Sequence, residues 1–184
     1  ISNLVGKSNS RDDYVCLSDG GHFDNMALYE LVRRRTSVII LGDGEQDDKF
    51  TCEGLANAIR RCRIDFGVEI SIDVTSITNR ADNISSKSYE VGTIYYPGDT
   101  PFYGWLIYLK SSITNKEPVD VREYSLKNPK FPHQTTGDQF FDECQFESYR
   151  QLGISVAESA LSDPQVRIAL ELHDDIVLND VLKF

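Results

Sequence analysis

The chain has 184 residues, a net charge of −10 and four cysteines, and its isoelectric point is near 4.7. A chain of this length can bury a substantial core as one domain. The acidic balance argues against nucleic acid as a partner and against electrostatic docking on an anionic membrane. No apolar run in the sequence is long enough to span a bilayer.

Residues 1–12 are polar and rich in Ser and Asn, which is typical of a linker. Because the chain begins at Ile1 and its single methionine is Met26, we expect residues 13–184 to be the C-terminal part of a domain whose upstream half precedes them. Cys16 falls in an apolar strand pattern and Cys62 on an apolar helix stripe, so both are expected to be buried free thiols. This favours a cytoplasmic location, with any membrane association residing in segments outside this chain.

The stretch from Asp13 to Asp43 predicts a strand–helix–strand unit of a parallel sheet. An apolar run at 14–18 stops at Asp19-Gly20-Gly21, and Asn25 is the predicted N-cap of the helix that follows. A second apolar run, 37–41, ends at Gly42-Asp43 and is predicted to be covered on both faces. Chemistry in such sheets collects beyond the carboxyl ends of the strands.

Beyond Asp43 the sequence predicts further helices and strands. Strict alternation at 68–74 predicts a strand near a sheet edge, and 75–87 reads as an irregular, mobile loop. Two apolar runs around Pro97-Gly98-Asp99-Thr100-Pro101 predict an antiparallel hairpin. The predicted elements in this part are helices at 47–63 and 118–128, strands at 89–96 and 105–110, a helix from a Thr136–Gln139 capping box to Gly153, and a last helix begun by Asp163-Pro164.

Several of these runs resemble patatin-like phospholipases, in particular a subgroup of large bacterial members. They are Leu17 to Arg35 with its Asp-Gly-Gly motif, Ile64 to Val68, Gly104-Trp105-Leu106, and Phe131-Pro132-His133 continuing to Gln145 to Arg150. The resemblance implies the C-terminal part of a three-layer α/β/α fold, with an appended β-hairpin and a helical C-terminus. It also implies an enzyme that hydrolyses phospholipids or other acyl esters with a Ser–Asp dyad and no cofactor.

The chain departs from that family in one respect, because it contains no Gly-x-Ser-x-Gly nucleophile elbow. In the dyad, Asp19 would be the base for a serine supplied by the upstream half, and Gly20 and Gly21 would form the turn beside it. His22 and Asn25 are auxiliary candidates near the motif. We therefore expect the isolated chain to be inactive on esters and to self-associate through an uncovered sheet edge.

Two other classes of function stay open from the residues. One is a divalent-metal site, since several oxygen and imidazole ligands fall near the predicted strand ends. The other is a noncatalytic interaction domain. The Ser–Asp dyad needs no metal ligand. The residues that the metal alternative would use instead are Asp19, His22, Asp24, Asp43, Glu45, Asp47 and Asp48.

Overall fold

The computed structural model describes residues 20–81, 83–135 and 137–170. The linker 1–12, the predicted strand at 14–18, Cys16, Asp19 and Thr136 lie outside the described residues. Within the described part, a 3-10 helix at Gly20–His22 is followed by six α-helices and four strands. They are α1 (Leu28–Arg33), β1 (Val38–Asp43), α2 (Glu53–Phe66), β2 (Glu69–Ser71), α3 (Thr75–Thr78), β3 (Tyr89–Tyr96), β4 (Phe102–Lys110), α4 (Val119–Lys127), α5 (Glu143–Leu161) and α6 (Pro164–Ala169).

The four strands form one mixed sheet in the order β1-β4-β3-β2. The predicted hairpin is confirmed, and its two antiparallel strands are the centre of the sheet instead of an addition to it. This is because β4 also pairs in parallel with β1, in a register that sets Asp43 beside Lys110. β2 lies at the opposite edge, as its alternating pattern predicts.

Helices cover both faces of the sheet, so the described residues form an α/β fold. α1 and α2 pack on the face that carries Ile39, Leu41 and Leu106. α5 and α6 pack on the other face, over the β3 and β4 half, where Ile107 is buried. No helix of the described part combines the length and apolar character needed to cross a bilayer.

The prediction that the 37–41 strand is covered on both faces is wrong for its outer face. Ile40 is 54% exposed, and Trp105 on β4, which lies on the same face, is 37% exposed. α5 and α6 cover the β3 and β4 half of this face and reach Val38 at the start of β1, but they leave Ile40 exposed. An apolar strand pattern alone does not reveal which of its two faces a helix covers.

Two predicted helix starts are wrong for the same physical reason. α1 begins at Leu28 instead of after Asn25, and α2 begins at Glu53 instead of Asp47. In each case an aspartate accepts hydrogen bonds from amides further along the chain and holds a turn before the helix. The Asp24 carboxylate accepts from the Met26 and Tyr29 amides, and the Asp47 carboxylate accepts from the Thr51 and Cys52 amides.

The 68–74 strand is shorter than predicted because Asp73 accepts from the Thr75 amide at 2.9 Å and starts α3. The predicted irregular loop 75–87 instead begins with α3 and is anchored to the fold at two points. Ile77 and Ser85 in it are buried, and the Ser85 hydroxyl donates to the Ile77 carbonyl at 2.8 Å.

The helix predicted to start at the Thr136–Gln139 capping box starts later. Its N-cap is Asp142, which accepts from the Gln145 amide at 2.7 Å, and the helix continues through Gly153 to Leu161. Gly153 has open space around it, and a helix accepts a single glycine at modest cost. The last helix begins as predicted, with Asp163 as N-cap and Pro164 in the first turn. The rest of this predicted helix, for which Val177 was expected to be an apolar position, lies outside the described residues.

Candidate functional site

The carboxyl ends of the parallel strands β1 and β4 meet at a buried ion pair. Lys110 Nζ lies 2.9 Å from Asp43 Oδ2, and both side chains are only 1% exposed. The Tyr108 hydroxyl, two residues earlier on β4, donates to the same carboxylate oxygen. The register explains the meeting, since Asp43 and Lys110 are Cα partners and side chains of partnered residues share a face.

Asp47 extends this network toward the surface. Its Oδ2 atom lies 3.5 Å from Lys110 Nζ, and its carboxylate also accepts from the amides of Thr51 and Cys52. Burial alone would raise the pKa of Asp47, but the two amide bonds and the charge of Lys110 outweigh it, and the pKa lies below its ordinary value. Lys110 therefore lies between the carboxyl groups of Asp43 and Asp47, which balance its charge inside the protein.

Two neighbouring groups are held in their neutral forms. Burial raises the pKa of Tyr108, and the charge of Asp43 raises it further. Burial likewise raises the pKa of Cys52, although Tyr108 and Lys110 act in the opposite direction. A protonated phenol and a protonated thiol are weak nucleophiles, so these two residues serve the network as hydrogen-bonding groups.

His133 closes the network from the loop after α4. Its Nδ1 atom accepts from the Asp47 amide at 3.1 Å and lies 3.2 Å from the Glu45 carbonyl. Burial and the charge of Lys110 lower the pKa of His133, so the ring is neutral near pH 7. Its Nε2 atom is buried without a hydrogen-bond partner among the described residues, and its ring packs edge-on against Phe50 at 4.5 Å between centroids.

The turn that follows the Asp-Gly-Gly motif lies at the same edge of the sheet. Gly20 accepts from the amides of Phe23 and Asp24, both at 2.9 Å, in the short 3-10 helix that includes Gly21. Asn25 Nδ2 then donates to Glu45 Oε1 at 2.8 Å, which ties this turn to the loop after β1. Asp19 and the side chain of His22 lie outside the described part of the chain.

A polar cleft opens between this turn and the start of α2. Its volume is about 450 Å³, and its walls come from the turn, the loop after β1 and the first turns of α2. Gly54 lets the Glu45 carboxylate approach this helix start, because a Cβ on residue 54 would lie 2.0 Å from Glu45 Oε2. The lining residues are Asn25, Glu45, Gln46, Asp47, Thr51, Glu53, Gly54 and Asn57.

Three described acids of the metal alternative are engaged by protein groups. Asp43 pairs with Lys110, while Asp24 and Asp47 cap the turns that precede α1 and α2. Among the described residues, no group of three or more His, Cys, Asp or Glu is arranged to hold a metal ion. Of the predicted catalytic site, the structure places the turn at Gly20–His22 next to Asn25. Asn25 in turn contacts Glu45, a residue of the metal alternative.

Sequence reasoning missed Lys110, Tyr108 and His133. A lysine at the end of an apolar strand, with Asp43 at the end of another, is a signal for a strand-end ion pair, but only the parallel pairing of β1 and β4 shows that they are neighbours. His133 carries no comparable signal, since its partners Glu45 and Asp47 lie 88 and 86 residues away.

Comparisons of the chain with protein-family models, with curated proteins and with solved structures find no match. The observed features define an α/β domain with a polar cleft and a buried ion network at the carboxyl edge of its parallel strands.

Proposed function

We propose that the chain is the C-terminal portion of a patatin-like lipid acyl hydrolase in which Asp19 is the base of a Ser–Asp dyad. The supporting observation is the hydrogen bond from Asn25 Nδ2 to Glu45 Oε1 at 2.8 Å. It holds the turn directly after Asp19-Gly20-Gly21 at the carboxyl edge of β1, where α/β enzymes collect their reacting groups.

The sheet offers a place for the strand that would carry Asp19. β1 is an edge strand in the described sheet, and α1 leads from the motif into β1. A strand at 14–18 that pairs in parallel with β1 would end beside Asp43, in the usual strand–helix–strand arrangement. The upstream half would then supply the serine on the next strand.

The dyad assigns separate roles to the groups at this edge. Asp19 would accept the serine proton as the serine attacks the acyl carbonyl, and would later activate the hydrolytic water. The cleft beside Asn25 is lined by polar side chains, so it suits the ester head and water. The acyl chain would be held by the upstream half. The buried free thiols Cys52 and Cys62 support a cytoplasmic site of action.

The test uses the intact protein, with its upstream half, and a p-nitrophenyl ester. Asp19→Asn should lower kcat by at least about a hundredfold, the scale of general-base removal. Asp48→Asn is the matched control, since Asp48 is an exposed carboxylate of the same edge. Asp43 is unsuitable as a control because its carboxylate pairs with Lys110 and Tyr108.

The isolated 184-residue chain should show no turnover in the same assay, because it lacks the nucleophile. Normal turnover in Asp19→Asn would refute the dyad. Equal losses in Asp19→Asn and Asp48→Asn that added divalent metal restores would favour the metal alternative instead.

A second candidate, a noncatalytic interaction domain, is favoured by the uncovered apolar half-face at Ile40 and Trp105. Exposed apolar surface of this kind is typical of a protein–protein contact. It would be supported by an intact protein that lacks esterase activity and whose β1 half-face is buried by a second polypeptide.

A further inference from the structure

A second cavity, away from the polar cleft, lies between α4 and the segment that follows α3. Its volume is about 500 Å³, within the range of cavities that hold small ligands. Ile113 and Phe131 are its buried apolar lining, and Arg80 and Arg122 are its cations. We call it the Arg80–Arg122 cavity.

Arg80 is a desolvated cation at this cavity. Its guanidinium carbon lies 3.9 Å from the centre of the Phe50 ring, and burial lowers its pKa. Its Nη2 atom donates to the Asn83 carbonyl, its Nε atom is buried without a hydrogen-bond partner among the described residues, and Arg80 forms no ion pair with any of them. Because no described carboxylate neutralises this partly buried cation, an anionic group beside its guanidinium would gain charge-assisted hydrogen bonds.

Arg122 provides the second charge from α4. Val119, Arg122 and Leu126 are spaced by three and four residues and therefore share one face of this helix. Val119 is 73% exposed and Leu126 is 85% exposed. Arg122 forms no ion pair within the described part of the chain, while the one acid of the lining, Glu123, pairs with Lys127.

This face of α4 thus presents a cation without an ion pair between two exposed aliphatic side chains. Arg80, which also lacks an ion pair, and the buried ring of Phe131 line the same cavity. We propose that the Arg80–Arg122 cavity binds a single-chain amphiphile, with its anionic head at the two arginines and its alkyl chain along Val119, Leu126 and Phe131. The proposal uses only described residues and does not depend on Asp19 or on an upstream serine.

The binding test is calorimetric titration of the full 184-residue chain with decanoate and with decyl phosphate, each below its micelle concentration. Saturable binding of either is expected, and the stronger of the two identifies the head group as carboxylate or phosphate. Each methylene added between octanoate and decanoate should raise affinity by up to about fourfold, the effect of burying one methylene. Equal binding of decyltrimethylammonium, or equally tight binding of acetate or inorganic phosphate, would overturn the proposal.

Paired arginine variants test the assigned residues. Arg122→Ala should weaken decanoate binding by up to about fivefold, as expected for an exposed charge pair. Arg80→Ala should weaken it about tenfold to a hundredfold, the range for a hydrogen bond to a charged group, because its guanidinium is partly buried. The controls are Arg60→Ala, an exposed helical arginine, and Arg61→Ala, which also stacks on a phenylalanine, at 4.3 Å.

Neither control residue lines the cavity, so both control variants should bind as the parent does. Arg122 has no described side-chain partner, so its variant should fold normally and keeps the test valid even if Arg80→Ala destabilises the protein. Unchanged affinity in Arg122→Ala, or equal losses in Arg122→Ala and Arg60→Ala, would overturn the assignment.

Discussion

Replacing Lys110 by methionine should strongly destabilise the folded chain. The substitution keeps an unbranched side chain of similar length but removes the charge that lies 2.9 Å from Asp43 and 3.5 Å from Asp47. Since the Lys110 and Asp43 side chains are both 1% exposed, water cannot replace the lost partner. Breaking a buried pair from one side costs about 3–5 kcal/mol.

The loss can be measured by urea unfolding. With a slope of about 2 kcal/mol per molar urea, the midpoint of Lys110→Met should fall by roughly 1.5–2.5 M relative to the parent. Lys127→Met is the control, because Lys127 makes the same kind of pair with Glu123 at a site where its side chain is 74% exposed. Its midpoint should stay within experimental error of the parent, since water screens exposed pairs.

A double-mutant cycle separates the ion pair from simple packing. Asp43→Asn combined with Lys110→Met removes both charges and keeps an acceptor for the Tyr108 hydroxyl. The loss of unfolding free energy in the double variant should be smaller than the sum of the two single losses by about 0.5–3 kcal/mol, the range of coupling between contacting residues. Additive losses, or a Lys110→Met midpoint equal to that of Lys127→Met, would refute the reasoning.

Two further predictions concern His133 and the uncovered half-face of the sheet. Burial and Lys110 lower the pKa of His133 below its ordinary value of 6.5; its contribution to stability is therefore fully present above pH 6.5 and is lost as the pH falls toward the folded-state pKa. His133→Asn keeps an acceptor for the Asp47 amide. Between pH 7 and pH 5, its unfolding free energy should fall by less than that of the parent protein. An equal fall in the two proteins would contradict this prediction. The isolated chain should self-associate through Ile40 and Trp105, which light scattering can detect. Ile40→Lys should shift the chain toward monomer. The control Ile64→Lys, at another exposed isoleucine, should leave its association unchanged.

Local chemistry in the sequence determined several parts of the fold. Two apolar runs around a Pro-Gly turn predicted the β3–β4 hairpin, and an Asp-Pro pair predicted the start of α6, because each depends on residues close together in the chain. Asp43 was likewise expected at a strand end, and β1 does end there. The motif Asp19-Gly20-Gly21 predicts a Ser–Asp dyad. The role of Asp19 as its base stays a prediction, because Asp19 lies outside the described residues.

Only the tertiary structure decided what surrounds those residues. Lys110 and Asp43 are 67 residues apart in sequence and meet because two parallel strands pair in one particular register. Asp24 and Asp47 delay their helices by accepting amide hydrogen bonds, a choice that helix periodicity does not reveal. Arg80 and Arg122 carry no motif, and they become a candidate anion site because folding places both at one apolar cavity. The physical reason is that pairing register, burial and charge partners depend on residues far apart in the chain, whereas propensity and turn chemistry are local.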